Sequence, residues 1–453
     1  MKSTTSFQLK FFWAGLFGSL LTATAADPTY WSWAQTPPMG WNSWDGFATT
    51  VTEAQARAQA DVMKAKLAAH GWNLITVDIQ WYEPNATGFD YHQGAKLEMD
   101  AQGRLLPATN KFPSAANGQG FKPLADYIHS LGLKFGLHLM RGIPRQAVAA
   151  KTPIKGTSYT AADIADTNSI CEWNTDMYGV DMTKPGAQEY YDSVFELFAS
   201  WGLDFIKVDD LSRPYHQPEI EAIRRAINRT GRPIVFSTSP GATPVSAGDH
   251  VSTHANMWRI SDDFWDKWSL LFDQFDRLRD WTPHRGPGHF PDADMLPIGV
   301  LQMGKSKTHF KPDEQFTLLT LWSIARSPLI LGADLTKLDD FTLSLISNDE
   351  VIAVDQASAN NRELFRRDGF YGWVADVPGS TDKYLAIFNT RDVPTGSTET
   401  SVAVPVKLSE LGFRDADRIR NLWTHEDLGA FKNEFAPPIN FHGAGLFRVS
   451  PMR

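Results

Sequence analysis

Between residues 38 and 350, short apolar runs alternate with longer stretches in which apolar residues recur at helical spacing. This alternation is typical of parallel strands joined by crossover helices. Eight runs are predicted to be strands: Pro38–Trp44, Trp72–Asp78, Lys134–Met140, Asp204–Asp209, Pro233–Ser239, Met257–Asp263, Pro291–Leu296 and Leu329–Leu331. Eight such units predict an α/β fold, the (β/α)8 TIM barrel.

Helices are predicted between these strands, over Thr52–His70, Gly186–Trp201 and Gln217–Arg229. A glycine, the residue that commonly closes a helix, follows each of them within two positions. The connection Arg141–Lys184 is unusually long. Long loops in barrels often shape the active site.

After residue 356 the pattern becomes one of short alternating runs separated by Pro, Gly, Asp and Ser. These runs are Gly372–Ala375, Tyr384–Asn389, Ser401–Val406 and Gly445–Val449. They predict a small antiparallel β-sandwich. We therefore divide the chain into a signal peptide over 1–25, a barrel over 26–355 and a β domain over 356–453.

The first 25 residues have the three parts of an export signal. Lys2 and Lys10 supply positive charge, Phe11–Leu21 is apolar, and Ala23–Ala25 is a small-residue cleavage site. A buried N-terminal helix is the alternative. The apolar part is too short to span a bilayer, and no later segment qualifies. The sequence thus predicts a secreted or periplasmic bacterial protein.

The charge and the cysteine content limit which partners, disulfides and metal sites the chain can have. The net charge is −9 over 453 residues, without a run of Lys or Arg, so nucleic acid is not an expected partner. Cys171 is the only cysteine, which excludes an intrachain disulfide and a thiolate metal cluster. No motif surrounds it, so we interpret Cys171 as structural. The oligomeric state is not indicated.

Barrel enzymes place catalytic groups at the carboxyl ends of strands. Lys207 and Asp209 lie two residues apart at one such end and point the same way. A lysine beside a carboxylate favours the ionised form, which suits a nucleophile. A helix-capping aspartate or a simple ion pair is the alternative.

Arg259 and Asp263 end another predicted strand with the same parity, and two aromatic residues follow. An apolar surrounding would keep a proton on Asp263, which suits a general acid. Alternatively, Asp262 or Asp263 caps a helix beginning near Phe264. Two carboxylates on either side of a sugar constitute a glycosidase site, and their separation distinguishes retention from inversion.

Metal binding is not predicted. His254, His284 and His289 are expected in loops without ligand spacing, and the site is predicted to need no cofactor.

Five ordered segments carry a resemblance to a known family: Pro37–Trp44, Phe205–Asp209, Trp258–Asp263, Asp292–Leu296 and Leu321–Leu329. In them the chain resembles glycoside hydrolase family twenty-seven, the α-galactosidase and α-N-acetylgalactosaminidase family. The resemblance implies a barrel followed by an antiparallel β domain, and a retaining mechanism. It implies the nucleophile at Asp209 and the acid/base at Asp263.

The resemblance also implies sugar contacts. Lys207 matches a ligand of sugar hydroxyls, Arg259 the group near the 2-position, and Trp44 the residue that stacks on the ring. The family's strand-two signature Ile-Asp-Asp-Cys-Trp corresponds to Val77–Trp81, which keeps Asp78 and Trp81 but replaces the second Asp with Ile79.

In the family, the two carboxylates of strand two hold the 4- and 6-hydroxyls of the sugar. A hydroxyl buried against Ile79 would lose its partner at a cost of about 1–3 kcal/mol. Ile79 therefore favours β-L-arabinopyranose, which lacks the 6-hydroxyl. Alternatively, a residue of the Arg141–Lys184 loop serves that hydroxyl.

Two further departures concern specificity. His138 replaces a family Tyr and is expected to bond a sugar hydroxyl or to be a satisfied histidine at a strand end. Ser239 replaces a Glu near the 2-hydroxyl, as in members that admit a 2-acetamido group, although Pro240 and Gly241 alter that loop.

The sequence therefore predicts a retaining exo-glycosidase acting on terminal α-D-galactosides or galactose-like sugars of an oligosaccharide or polysaccharide. The alternatives are a β-L-arabinopyranosidase, an α-N-acetylgalactosaminidase, a transglycosylase or a non-catalytic sugar-binding protein. The presence of both Asp209 and Asp263 argues against the last.

Overall fold

The computed structural model describes Met1 and residues 27–452, and the predicted export signal falls almost entirely outside them. Eight parallel strands form the central sheet, and we label them β1 to β8 in chain order. They are Met39–Asn42, Leu74–Val77, Lys134–Met140, Phe205–Asp209, Val235–Thr238, Met257–Arg259, Phe290–Asp292 and Leu329–Leu331. Each strand pairs with the next along the chain up to β7, and β8 pairs with β1. A parallel bridge between Leu296 and Leu331 links the remaining edge, so the predicted barrel is confirmed.

Helices cover the outside of the barrel. The principal ones are Glu53–Val62, Lys122–Ser130, Ala187–Ser200, Gln217–Arg229, Gly248–His254, Trp268–Trp281, Pro312–Ala325, Asp340–Ile346 and Asp349–Ala357. Thr52 begins the first of them through a capping box with Gln55, in which each side chain satisfies a backbone N–H of the other. A π-helical turn over Met63–Leu67 and a 3-10 turn over Ala68–His70 continue this helix. Gly71, with φ of 94°, ends the last turn in the left-handed conformation that glycine adopts without strain.

The connection from Arg141 to Lys184 folds into an insertion rather than a simple loop. It contains two short helices, Arg145–Ala150 and Ala161–Ile164, and a three-stranded antiparallel sheet. The strands of that sheet are Ile143–Pro144, Ala165–Ile170 and Met177–Val180.

The β6 region differs from its prediction. The strand ends at Arg259, and the following helix begins only at Trp268, with Lys267 as its N-cap. Neither Asp262 nor Asp263 caps a helix, so that alternative is wrong. The backbone N–H of Phe264 donates instead to Asp294 Oδ2 at 2.7 Å, which holds Asp263 in a loop at the barrel mouth.

A β domain follows the last barrel helix and starts with a strand at Ala359. Its six-stranded antiparallel sheet has the order Ala359–Arg367, Phe370–Asp376, Lys383–Asn389, Ala444–Pro451, Asp415–Asn421 and Glu426–Lys432. Two short strand pairs cover it: Ser401–Ala403 with Pro438–Asn440, and Val406–Lys407 with Glu434–Phe435.

The β domain and the barrel share one hydrophobic core, since Trp373 and Phe388 belong to the same buried cluster as the barrel interior. The ring of His442 stacks on Trp268 at 3.7 Å, and its Nδ1 lies 2.9 Å from Glu314 Oε1. Across residues 27–452, the helices lack the combination of length and apolar character that crossing a membrane requires.

Candidate active site

A cavity of about 1100 Å³ opens at the carboxyl end of the barrel strands, where barrel enzymes carry their chemistry. Charged residues form its floor: Asp45, Asp78, Lys207, Asp209, Asp210, Arg259 and Asp294. Aromatic residues form much of its wall: Trp44, Phe89, Tyr91, Trp173, Phe264 and Trp265. The cavity thus combines ring surfaces for a sugar with a cluster of charges.

Asp209 ends β4 and is almost completely buried. His138 Nε2 lies 3.0 Å from its Oδ2, and Lys207 Nζ lies 3.9 Å from its Oδ1. Burial alone would raise the pKa of Asp209, but the charges of Lys207, His138 and Arg259 outweigh it and hold the pKa well below the ordinary value. These neighbours therefore favour the ionised form of Asp209, which lines the cavity.

Lys207 also pairs with Asp78, which follows β2. Its Nζ donates to Asp78 Oδ2 at 3.0 Å, and Asn42 Nδ2 donates to the same oxygen at 2.6 Å. Burial lowers the pKa of Lys207, but Asp209 and Asp78 together raise it above its usual value. Lys207 thus keeps its charge at the base of the cavity and holds two carboxylates in place.

Arg259 ends β6 and joins two further carboxylates. Its Nη2 lies 2.7 Å from Asp294 Oδ2 and 3.3 Å from Asp263 Oδ1. The Asp263 side chain is 59% exposed, so the predicted apolar surrounding is wrong for this residue before a ligand covers it. Asp262 also lines the cavity, but it pairs with Arg213 at 2.6 Å rather than with Arg259. Of the two neighbouring aspartates, only Asp263 contacts the charged floor.

Two buried carboxyls of this floor, Asp45 and Asp294, lie close to a third, Asp292, outside the cavity lining. Burial, followed by the charge of Asp294, raises the pKa of Asp45 far above its ordinary value and that of Asp292 to about 7. Burial also raises the pKa of Asp294, against the opposing charge of Arg259. Asp45 packs against Gly332, where any Cβ would collide with its carboxyl group. This position therefore requires glycine.

The aromatic wall is continuous. Trp44 stacks on Tyr91 with ring centroids 6.0 Å apart and an interplanar angle of 7°, and Tyr91 contacts Trp173 at 5.5 Å. Phe89 touches both Trp44 and Trp265 edge to face. Trp173 comes from the 141–184 insertion, which also contributes Asn168, Ile170 and Glu172 to the cavity. The 141–184 insertion therefore forms part of the cavity wall, and its role in an active site stays a prediction.

Of the residues predicted to bind substrate, Trp44, Asp78, Lys207 and Arg259 line the cavity, together with Asp209 and Asp263. The other four predicted residues are buried and lie outside the cavity lining, so their contact with a substrate stays a prediction: Ile79, Trp81, His138 and Ser239.

Each of these four lies below the rim of the cavity, where it packs in the core or positions a neighbouring group. Trp81 sits in an aromatic cluster with Phe121 and Trp201, and its Nε1 donates to the carbonyl of His138. His138 lies beneath Asp209. Ser239 lines a small internal void under Lys207 and Arg259. Ile79 packs in the barrel core directly after Asp78, and its backbone N–H donates to Asp78 Oδ1 at 2.8 Å.

Sequence reasoning missed Asp45, Tyr91, Arg141 and Asp294. Asp45 directly follows Trp44, and Asp294 lies within the Asp292–Leu296 segment, so recognised motifs gave a signal for both. Arg141 follows β3 and binds Asp210 and Glu219, each at 2.7 Å, which anchors the loop after Asp209. Tyr91 lies in a long connection without a periodic pattern and gives no such signal.

Comparisons with known protein families cover nearly the whole chain. A family model described as alpha galactosidase A matches residues 36–184 and 181–357, and a model of the alpha galactosidase C-terminal beta sandwich domain matches residues 370–449. Alpha-galactosidase 2 of Arabidopsis thaliana is 27% identical over 430 residues, covering 92% of this chain and 90% of that protein.

Solved structures give higher identities. A β-L-arabinopyranosidase from Geobacillus stearothermophilus is 48% identical with a TM-score of 0.90, over 94% of this chain and 99% of that one. A Bacillus halodurans protein proposed to be an α-N-acetylgalactosaminidase is 45% identical with a TM-score of 0.82, over 92% and 97% of the two chains. The α-galactosidase I of Mortierella vinacea, at 22% identity and a TM-score of 0.71, shares the fold.

Proposed function

Since the chain belongs to the α-galactosidase family, glycoside hydrolase family 27, we propose that it is a retaining exo-glycosidase of galacto-configured pyranosides. Asp209 is the nucleophile of the proposed reaction, and Asp263 is its acid/base. The observation that carries this assignment is the pairing of a buried, ionised Asp209 with an open, hydrogen-bonding Asp263 across one cavity.

The proposed first step is attack by the carboxylate of Asp209, which lines the cavity, on the anomeric carbon. The bond from the anomeric carbon to the leaving oxygen breaks while Asp263 gives that oxygen its proton. The products of this step are the free alcohol and a sugar esterified to Asp209.

The second step uses water in place of the alcohol. Asp263, now a carboxylate, removes a proton from the water as its oxygen attacks the anomeric carbon. The ester bond breaks, Asp209 regains its charge beside Lys207, and the sugar leaves with its original anomeric configuration. An acceptor sugar in place of water would give transglycosylation by the same residues.

Replacement of the nucleophile tests this assignment. Asp209→Asn keeps the shape of the side chain but removes the charge that attacks, so turnover of an aryl α-D-galactopyranoside or β-L-arabinopyranoside should fall at least about 10³-fold. An unchanged circular dichroism spectrum would show that the fold survives. Near wild-type turnover in the folded variant would refute the role of Asp209.

The preferred sugar is a second question, and position 79 favours the arabinoside. After β2 the chain presents one carboxylate, Asp78, followed by the aliphatic and buried Ile79. A sugar 6-hydroxyl placed there would lack the partner that a second carboxylate supplies, at a cost of about 1–3 kcal/mol. The 48%-identical β-L-arabinopyranosidase of known structure agrees with this candidate, whereas the curated α-galactosidases, at 25–28% identity, favour galactose.

Paired aryl glycosides separate the two sugars. If Ile79 excludes the 6-hydroxyl, kcat/KM should be higher for the β-L-arabinopyranoside than for the α-D-galactopyranoside, and Ile79→Asp should shift the ratio towards galactoside by about 5- to 150-fold. Ile79→Ala is the matched control, because it makes room without supplying an acceptor. A wild-type preference for galactoside would identify this enzyme as an α-galactosidase that binds the hydroxyl elsewhere.

A further inference from the structure

Two histidines and a glutamate meet on the outer surface of the barrel, away from the cavity. His250 and His254 lie one turn apart on the helix that follows β5, and Glu221 lies on the helix that follows β4. One potential ligand atom from each of the three side chains lies within 4.8 Å of the other two. The sequence-based expectation had placed His254 in a loop, and the structure corrects this. At a spacing of four, the two imidazoles share one helix face.

The hydrogen bonds of both rings occupy their Nδ1 atoms and leave Nε2 as the candidate ligand atom of each ring. His254 Nδ1 lies 2.8 Å from the carbonyl oxygen of His250 and must donate to it, because a carbonyl only accepts. His250 Nδ1 lies 2.6 Å from the hydroxyl of Tyr215, and its Nε2 lies 3.3 Å from Glu221 Oε1. A second hydrogen bond that fixes the ring and its tautomer is the usual arrangement of a metal-binding histidine.

Solvent access agrees with this geometry. The side chains of His250 and Glu221 are 17% and 33% exposed, so an ion can reach them from solvent.

We propose that Glu221, His250 and His254 form a binding site for a divalent transition-metal ion of the zinc type. Two imidazole nitrogens and one carboxylate oxygen are a ligand set that zinc accepts, with solvent completing the coordination. None of the three residues lines the catalytic cavity, so the ion acts on stability by joining the helices after β4 and β5. Without an ion, the cluster is a pair between His250 and Glu221.

Calorimetric titration of untagged, chelator-treated protein with Zn²⁺ tests the site. The wild type should bind one ion per chain saturably, and Glu221→Gln and His254→Gln should each weaken binding by at least about tenfold. His70→Gln is the matched control, because His70 is a partly exposed histidine with a single carboxylate partner, Asp349. That variant should bind as the wild type does.

Thermal unfolding gives a second test. If Glu221 and His250 only form a hydrogen bond and bind no metal, the Tm should not depend on Zn²⁺. Zn²⁺ should raise the Tm of the wild type and of His70→Gln, but not that of Glu221→Gln, because an ion stabilises only the state that binds it. A wild-type titration without saturable binding would overturn the proposal. So would equal zinc affinity in the wild type, Glu221→Gln and His254→Gln.

Discussion

At the scale of single residues, the two aspartates of the proposed reaction differ in what surrounds them. Asp209 is buried and shares Lys207 with Asp78, whereas Asp263 stands at the rim with Arg259 as its charged neighbour. The first arrangement holds a charge ready for attack. The second leaves a carboxyl group in reach of both the leaving oxygen and solvent, which a group that gives and then takes a proton requires.

Asp263→Asn should therefore lower turnover most for substrates whose leaving oxygen must be protonated as it departs. For an alkyl glycoside we expect a loss of about 10²- to 10⁴-fold, and for a dinitrophenyl glycoside a much smaller loss of the first step. Steady-state rates on the two substrates measure this difference. Asp262→Asn is the matched control, because Asp262 is equally exposed but pairs with Arg213. Equal losses in the two variants would contradict the assignment.

Prediction of single residues worked best where the alternation of side chains along a strand shows to which face a residue points. Lys207 and Asp209 lie two apart on one strand, and both face the cavity as predicted. Parity does not show depth within a barrel, whose interior is filled in layers. His138 and Ser239 point inward but lie one layer below the rim, and thus support the site without lining it.

At the scale of elements, the 141–184 insertion completes the cavity wall. Trp173, 41% exposed, contacts Tyr91, which in turn stacks on Trp44. Seven of the eight barrel strands were predictable because each is a short apolar run between helical patterns. The seventh in chain order is the exception, since the observed Phe290–Asp292 shares only two residues with the predicted Pro291–Leu296. The strands of the insertion were not predictable, since Ala165–Ile170 has no buried residue and therefore no apolar alternation.

Trp173→Ala should raise KM several-fold and change kcat little. A ring surface at the rim binds the ground state and the transition state about equally, so its loss weakens binding without slowing the chemistry. Initial rates over a range of aryl glycoside concentrations separate the two parameters. Tyr159→Ala is the control, because Tyr159 is 38% exposed on the same insertion but outside the cavity lining. A fall in kcat at constant KM would contradict this role.

At the scale of the whole molecule, the buried acids link stability to pH. Asp292 has a pKa of about 7 in the folded chain against 3.8 as the ordinary value, so folding favours its protonated form. That contribution is complete below about pH 4 and is lost as the pH rises towards 7. At 1.36 kcal/mol per pKa unit, its upper size is about 4 kcal/mol.

Asp292→Asn should remove this contribution, because the amide stays neutral and its Oδ1 can still accept the backbone N–H of Asp294. Urea unfolding between pH 4 and 7 measures the effect. As the pH rises from 4 to 7, the free energy of unfolding of the variant should increase relative to that of the wild type. Parallel curves for the two proteins would show that Asp292 is already ionised in the folded state at pH 4.

The architecture as a whole was predictable from sequence, because the barrel and the β domain have different hydrophobic periods. The shared core that joins them was not predictable, since nothing in the sequence around Trp373 and Phe388 indicates which part of the chain they pack against. The same limit applies to the cluster of Glu221 and His250, which two separate helices bring together.

The most direct test of the proposed reaction is the anomeric configuration of the first sugar released, followed by proton NMR before mutarotation. Double displacement through Asp209 predicts that this sugar initially carries the same anomeric configuration as the substrate. Initial appearance of the opposite anomer would mean that water attacks directly, and it would contradict the role of Asp209 as a covalent nucleophile.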